Sequence, residues 1–345
     1  MKMKAAILTE IKKPLEILEI EIPEKLLFGQ VLVKVSYSGI CGSQIGEIDG
    51  IKGPDKYLPH LLGHEGSGEV IKIGEGVSTV KPADKVVLHW QVGDGIQSKP
   101  PIYTINDKII NAGWITTFNE YAVISENRCT KINDNSNMKE AALFGCAVTT
   151  GFGVIENTKS LNIGSSVVVF GSGGVGLNIV QAASLVSCYP IIAIDKFENR
   201  LKLSSKFGAT HTINSLKADP FNEILKILGS KPLDLFIDNT GVPKIIEEGY
   251  KLIKKDGILK LVGVPKLGDN ISIYSLPMHF GKKIIGTHGG DGDPSKDIPR
   301  YEYLAKKGVI NLSNIITETI SINEINFGIN NMKNGNTSGR TLIKF

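Results

Sequence analysis

What this 345-residue sequence does not contain narrows its identity first. It has only 4 cysteines, Cys41, Cys129, Cys146 and Cys188, widely spaced and with no C-x-x-C pair. That pattern speaks against a disulfide framework and against a zinc knuckle built on paired cysteines. No apolar run is long enough to span a bilayer. Met1-Lys2-Met3-Lys4 leads straight into strand-like sequence without the apolar core of a signal peptide, so a cytoplasmic protein with no membrane partner is expected. There is no block of like charge either. The net charge is +4 and the lysines are scattered, which leaves no footprint for nucleic acid. With 41% hydrophobic and 21% charged residues the composition is globular, and the length favours two domains.

What is present is a nucleotide signature. Val167-Val168-Val169-Phe170 is an apolar run suited to a buried parallel strand. Gly171-Ser172-Gly173-Gly174-Val175-Gly176 follows at once, and residues 177–186 read as a helix. A G-x-G-x-x-G at a strand-to-helix turn has a mechanism. Gly171 permits the tight turn, Gly173 lets a pyrophosphate approach the backbone, and Gly176 lets helix and strand pack closely. The free N–H groups of the new helix face the phosphates. Ile191-Ile192-Ala193-Ile194 predicts a second strand ending in Asp195. An acid about 20 residues past the glycines is placed to hydrogen-bond the adenosine ribose. It would repel a 2′-phosphate, so NAD is expected over NADP.

Around this unit, residues 4–150 read as mostly β, with strands predicted at 31–35, 68–73, 85–88 and 121–124 between glycine and proline turns. Many short strands of this kind predict a barrel-like unit. Residues 93–113 read as a long surface loop. From Met138 the pattern becomes helix and strand in alternation. Helices are expected at 138–150, 199–207 and 243–252, and further strands at 210–213, 233–237, 258–262 and 283–286. Six strands with helical crossovers predict a doubly wound parallel sheet. The tail carries two helical segments and a last strand at 341–344, which needs a partner that the first domain's edges can provide. The expected division is a catalytic domain at 1–150, a nucleotide-binding domain at 151–286 inserted into it, and a return at 287–345.

Three further residues form a possible metal set. Cys41 follows a strand in Gly39-Ile40-Cys41-Gly42-Ser43. His64 lies in Leu62-Gly63-His64-Glu65-Gly66, just before another strand, and Cys146 leads into the nucleotide domain. Two thiolates and an imidazole suit zinc, and three protein ligands leave a fourth position open. An open zinc polarises an alcohol or carbonyl oxygen. Taken singly, a Cys or His of this kind is more often a packed residue than a ligand.

Taken together, the glycine turn, Cys-Gly-Ser, Gly-His-Glu and Gly-Cys-Ala-Val-Thr-Thr-Gly resemble the zinc-dependent alcohol dehydrogenases of the medium-chain dehydrogenase/reductase superfamily. The resemblance covers essentially the whole chain. It implies an α/β protein, a Rossmann doubly wound sheet inserted in a GroES-like, mostly β catalytic domain. It implies Cys41, His64 and Cys146 as ligands of one catalytic zinc, with Glu65 as a carboxylate able to exchange onto it. Ser43 would take the alcohol proton, and Thr150 and Val175 would contact the nicotinamide. Gly171, Gly173, Gly174 and Gly176 would form the pyrophosphate turn, with Asp195 and Arg200 at the adenosine ribose. The backbone around Val262 and Val264 would meet the carboxamide, and Arg340 would reach the pyrophosphate. Trp90 aligns with a bulky pocket-lining residue, a plain core tryptophan being the alternative. Relatives form homodimers or homotetramers through the Rossmann sheet edge, for which 271–274 is a candidate strand.

The sequence departs from the family in three places. The 93–113 loop has no cysteine, where many relatives carry four for a structural zinc. Gln44 stands where relatives commonly have the Asp that orients the ligand His. Gly46 stands where several have the His that ends a proton relay, which leaves the exit unassigned; His60 and His89 are nearby in sequence, each equally open to being a packed or surface histidine. The expected activity is hydride transfer between NAD(H) and an alcohol or polyol or its aldehyde or ketone. A sugar, cyclitol or nucleotide-linked substrate is equally open, and the polar stretch 288–293 would suit one. A zinc-free reductase and a non-catalytic NAD-binding protein are the rival readings. The Cys/His/Cys set counts against both.

Overall fold

The computed structural model describes all 345 residues. Contacts divide them into two units, one of Met1–Thr149 with Asp293–Phe345 and one of Thr150–Gly292. The second break falls later than the position 286 read from the sequence. No single helix is long and apolar enough to cross a membrane.

The first unit is built on two sheets. Five strands run in the order His60–Leu61, Lys2–Leu8, Glu16–Glu21, Tyr103–Ile105, Lys108–Ile110. The larger sheet runs Cys129–Lys131, Lys85–His89, Glu65–Ile73, Gln30–Gly39, Arg340–Lys344, Ile316–Ser321, with Tyr121–Ser125 also on Gln30–Gly39. The last strand therefore finds its partners here. Leu342 pairs antiparallel with Gly39 and Thr319 pairs parallel with Leu342. The 93–113 segment is not the featureless loop expected. It contains the hairpin Tyr103–Ile105 and Lys108–Ile110, paired onto Glu16–Glu21.

That segment is ordered without cysteine. Glu126 accepts hydrogen bonds from the N–H groups of Ser78 (2.7 Å), Thr79 (2.8 Å) and Ile96 (2.8 Å). Ser125 Oγ donates to Ile96 O at 2.9 Å and accepts from Ser98 N–H at 2.6 Å. Arg128 Nη2 donates to Gln97 Oε1 at 2.9 Å. A carboxylate receiving several backbone donors fixes the segment, because it satisfies N–H groups that have no ladder partner.

The second unit is a six-stranded parallel sheet in the order His211–Asn214, Ile191–Asp195, Val167–Phe170, Leu233–Asp238, Ile253–Leu261, Lys283–Gly286. This is the 3-2-1-4-5-6 order of a doubly wound dinucleotide fold. Val167, Val168 and Val169 are fully buried and Phe170 nearly so, because helices cover both faces of a central parallel strand. Each such side chain contributes roughly 1.5–3 kcal/mol of burial. Gly171 has φ +97, and a Cβ on Gly176 would lie 2.1 Å from Gly171 O, so turn and packing both require glycine there.

Two further expectations are corrected. The segment 138–150 is not one helix. It runs as Met138–Ala141 and Ala142–Gly145, breaks at Cys146 (φ −153, ψ −64) and resumes as Ala147–Glu156. Residues 271–274 form no strand, and the sheet ends on Lys283–Gly286.

Candidate active site

Local structure puts the first unit's chemistry on three backbone breaks. Cys41 caps the helix Gly42–Ile48 just after the strand ending at Gly39. His64 immediately precedes the strand Glu65–Ile73, and Cys146 sits at the helix break. One ligand atom from each of Cys41, His64 and Cys146 converges, all within 4.8 Å of one another. His64 Nδ1 lies on Gln44, which leaves its Nε2 buried with no hydrogen-bond partner. Cys146 donates a hydrogen bond that holds the Cys41 thiol well below its ordinary range. Burial opposes the shift, and Arg340 and His64 add to it. Burial also works against charge on His64, but Cys41 beside it raises its pKa. A partnerless imidazole nitrogen beside two cysteine sulfurs is a donor set that fits zinc.

Glu65 lies behind this set, fully buried. Its Oε1 accepts from Arg340 Nε at 2.6 Å and its Oε2 from Ala147 N–H at 3.0 Å. A Cβ on Gly39 would lie 2.0 Å from Glu65 Oε1, so the pair needs glycine on the neighbouring strand. Arg340 is 2% exposed, not the solvated residue its place near the chain end allows, and its Nη2 is buried without a partner. Burial disfavours its charge, and Glu65 more than offsets this.

Ser43 is half-buried on the first turn of Gly42–Ile48. Trp90 stands edge-on to His64, ring centroids 6.4 Å apart. A Cβ at Gly46 would meet Ile51 Cδ1 at 2.7 Å, the flexible end of a half-buried side chain that would have to move aside. Neither of the two nearby histidines has a free ring nitrogen. His60 spans Asp55 Oδ2 (2.8 Å) and Leu61 O (2.9 Å). His89 spans Gln91 O and Thr130 Oγ1, both at 2.9 Å, and burial lowers its pKa to about 4.

In the second unit, Gly173 caps the helix Gly174–Leu185, and a Cβ on it would meet nothing closer than Arg200 Nη1 at 4.0 Å. The turn is open where a phosphate would approach. Asp195 accepts from Ser172 N–H at 2.8 Å and Phe197 N–H at 3.0 Å, and Arg200 Nη1 stands 3.6 Å from it. A carboxylate has about four acceptor sites, so two hydrogen bonds leave capacity for ribose hydroxyls. Thr150 Oγ1 is buried and unpartnered. Val175 is half-buried and Val264 exposed, while the N–H of Val262 is taken by Asp238 O at 2.8 Å. Residues 288–292 of the polar stretch fold back on their own unit, where Asn157 Nδ2 donates to Gly290 O at 2.7 Å and His288 N–H bonds Asp291, while Asp293 caps the helix Pro294–Lys306 of the other unit.

Sequence reasoning missed two parts of this arrangement. One is the Arg340–Glu65 pair, joined across 275 residues. The other is Glu47, whose Oε2 accepts from Gln44 Nε2 at 3.1 Å. Only the latter left a signal, the three-residue spacing that puts two side chains on one helix face.

Comparison with known proteins agrees with the geometry. The family profile described as alcohol dehydrogenase GroES-like domain matches residues 28–134, and that described as zinc-binding dehydrogenase matches 174–327. S-(hydroxymethyl)glutathione dehydrogenases of Escherichia coli O1:K1 and of Shigella sonnei are each 32% identical over 374 aligned positions, covering 100% of both chains. Among solved structures, benzyl alcohol dehydrogenase from Acinetobacter calcoaceticus superposes with a TM-score of 0.88 at 28% identity, over 100% of this chain and 99% of that one. An alcohol dehydrogenase zinc-binding domain protein from Burkholderia ambifaria gives 0.89 at 26% identity, over 100% and 99%.

Proposed function

The chain belongs to the zinc-dependent alcohol dehydrogenase family, an NAD-linked oxidoreductase lineage, and from that premise we propose that Cys41, His64 and Cys146 hold its catalytic zinc. The observation that carries this is the convergence of two sulfurs and an imidazole nitrogen within 4.8 Å, with Nε2 of that ring buried and unpartnered. When bound, zinc supplies a Lewis acid for the substrate oxygen and NAD takes or returns the hydride. The chain's own residues do the rest. Ser43 accepts the hydroxyl proton, and Trp90 lines the substrate side beside His64. Thr150 and Val175 hold the nicotinamide, and the backbone around Val262 and Val264 meets its carboxamide. Gly171, Gly173, Gly174 and Gly176 admit the pyrophosphate, and Arg340, whose Nη2 is buried without a partner, is the cation the resemblance assigns to it. Asp195 and Arg200 hold the adenosine ribose. Glu65 stays with Arg340 in the resting site and is the carboxylate available to the metal.

The substrate is a small alcohol or its carbonyl partner. The test is metal analysis with an NAD-reduction screen of primary alcohols, polyols, sugar derivatives and S-(hydroxymethyl)glutathione. One zinc per chain is expected, lost together with turnover in Cys146→Ser. Zinc-free protein that was never exposed to chelator, or failure to reduce NAD with the whole panel, would overturn the reading. A homodimer or homotetramer is proposed, supported by Leu276, Met278, Phe280 and Ile285, all exposed at the edge strand Lys283–Gly286 and the turn before it. Light scattering on the purified protein checks it. Four free cysteines support a reducing, cytoplasmic location.

A further inference from the structure

The amide of Gln44 is buried, and each of its polar atoms is engaged. Oε1 accepts the N–H of Gly63 at 2.5 Å. Nε2 lies 3.1 Å from Glu47 Oε2 and 2.9 Å from His64 Nδ1. Glu47 keeps its other oxygen on Lys52 Nζ at 2.8 Å.

The polarity of this network is set from both ends. A backbone N–H only donates, so Gly63 needs the amide oxygen, and a carboxylate only accepts, so Glu47 needs the amide NH₂. Turning the amide over would set N–H against N–H at Gly63 and oxygen against oxygen at Glu47. With the amide so held, the second hydrogen of Nε2 points at His64 Nδ1, which must accept it. A neutral imidazole that accepts at Nδ1 carries its proton on Nε2. That nitrogen is the one facing Cys41 and Cys146.

We infer that Glu47, acting through Gln44, holds His64 of the metal-free chain in the tautomer protonated on its ligand nitrogen. A His that binds a metal through Nε2 ordinarily donates Nδ1–H to an acceptor, which fixes the tautomer that ligation needs. Here the acceptor stands one side chain too far away, with an amide donor between. Metal entry requires the imidazole proton to leave Nε2 and the amide to turn against Gly63 and Glu47. Glu47 and Gln44 are therefore positioning residues that weaken the hold on the metal. This consequence for affinity rests on the proposed ligand set, whereas the tautomer itself does not.

The test uses the full chain. Nitrogen-15 spectra of the histidine rings in metal-free protein report the His64 tautomer directly, and competition with a chromophoric chelator reports zinc affinity. The informative variant exchanges the two side chains, Gln44→Glu with Glu47→Gln. Chain lengths and net charge are unchanged, but the carboxylate now faces Nδ1. We expect the Nε2–H tautomer in the natural protein, the Nδ1–H tautomer in the exchanged one, and zinc bound about ten-fold or more tightly by the latter. A metal-free natural protein with Nδ1–H, or an exchanged protein with zinc affinity within two-fold of the natural one, overturns the inference. If the exchanged protein does not fold, the natural ring spectrum alone decides. Zinc that binds the natural chain without protecting Cys41 and Cys146 from alkylation counts instead against the ligand set.

Discussion

At the scale of single residues, buried charge and buried polarity make the sharpest predictions. Arg340 and Glu65 are buried at 2% and 0% exposure and joined at 2.6 Å. Removing one member of such a pair strands the other, typically at about 3–5 kcal/mol. Arg340→Met is expected to lower unfolding free energy in urea by about that much, and adding Glu65→Leu to restore most of it. His89 is held neutral by burial with its pKa lowered from 6.5 to about 4. Below pH 6.5 the unfolded chain takes up a proton that the native one refuses, so stability falls on acidification from 6.5 to 4 and is flat with respect to this group below that. The loss is about 3 kcal/mol at most. Urea titrations at pH 6.5, 5.5 and 4.5 should show a slope that His89→Gln lacks, and equal slopes would remove His89 as its source. Asp195→Ala is expected to weaken NAD binding by about 1.5–3 kcal/mol, the worth of a hydrogen bond to a charged group, and to narrow the NAD-over-NADP ratio in kcat/KM. Unchanged affinity by calorimetry would take the ribose contact away from Asp195.

At the scale of elements, the segment after residue 93 is informative because a metal-free loop has to be held by something else. Glu126 receives three backbone N–H groups from two separate stretches, around 78–79 and at 96. Glu126→Ala leaves these donors unpaired, at about 1–3 kcal/mol each when buried. Faster amide exchange is expected at 78–79 and 96–98, with the sheet Val167–Phe170 in the other unit unaffected. Exchange unchanged at Ile96 would mean the loop is held by Ser125 and Arg128 instead. Element type was legible wherever local pattern decides it. The run Val167–Phe170, the glycines and the helix Pro243–Leu252 all follow from short-range periodicity and breakers. The break at Cys146 was not legible, since 138–150 reads as one helix that is apolar on one side, Gly145 included. It arises because Gly145 lies against Leu88 O and Glu65, where a Cβ would come within 2.2 Å and 2.8 Å, so packing bends the backbone there.

At the scale of the whole molecule, the chain leaves its first unit at Thr149 and returns at Asp293. The return is structural: Arg340–Lys344 lies inside the larger sheet between Gln30–Gly39 and Ile316–Ser321. Removing residues 339–345 would expose both neighbours' backbone groups and delete Arg340. We expect that truncation to give protein without zinc and without a cooperative transition for the first unit, while the six-stranded parallel sheet keeps its own. A truncated chain that still binds one zinc would show the strand to be dispensable. The sequence by itself determined the nucleotide unit, because strand, turn, helix and acid are consecutive and their physics is local. It also supplied the soft residues for a metal and a family to compare them with. Only the tertiary structure decided which of them meet. Cys41, His64 and Cys146 converge, Arg340 finds Glu65, and Glu47 stands behind Gln44, through contacts that local pattern cannot encode. Sheet pairing sets them between segments far apart in the chain, and close packing then fixes which atoms face each other.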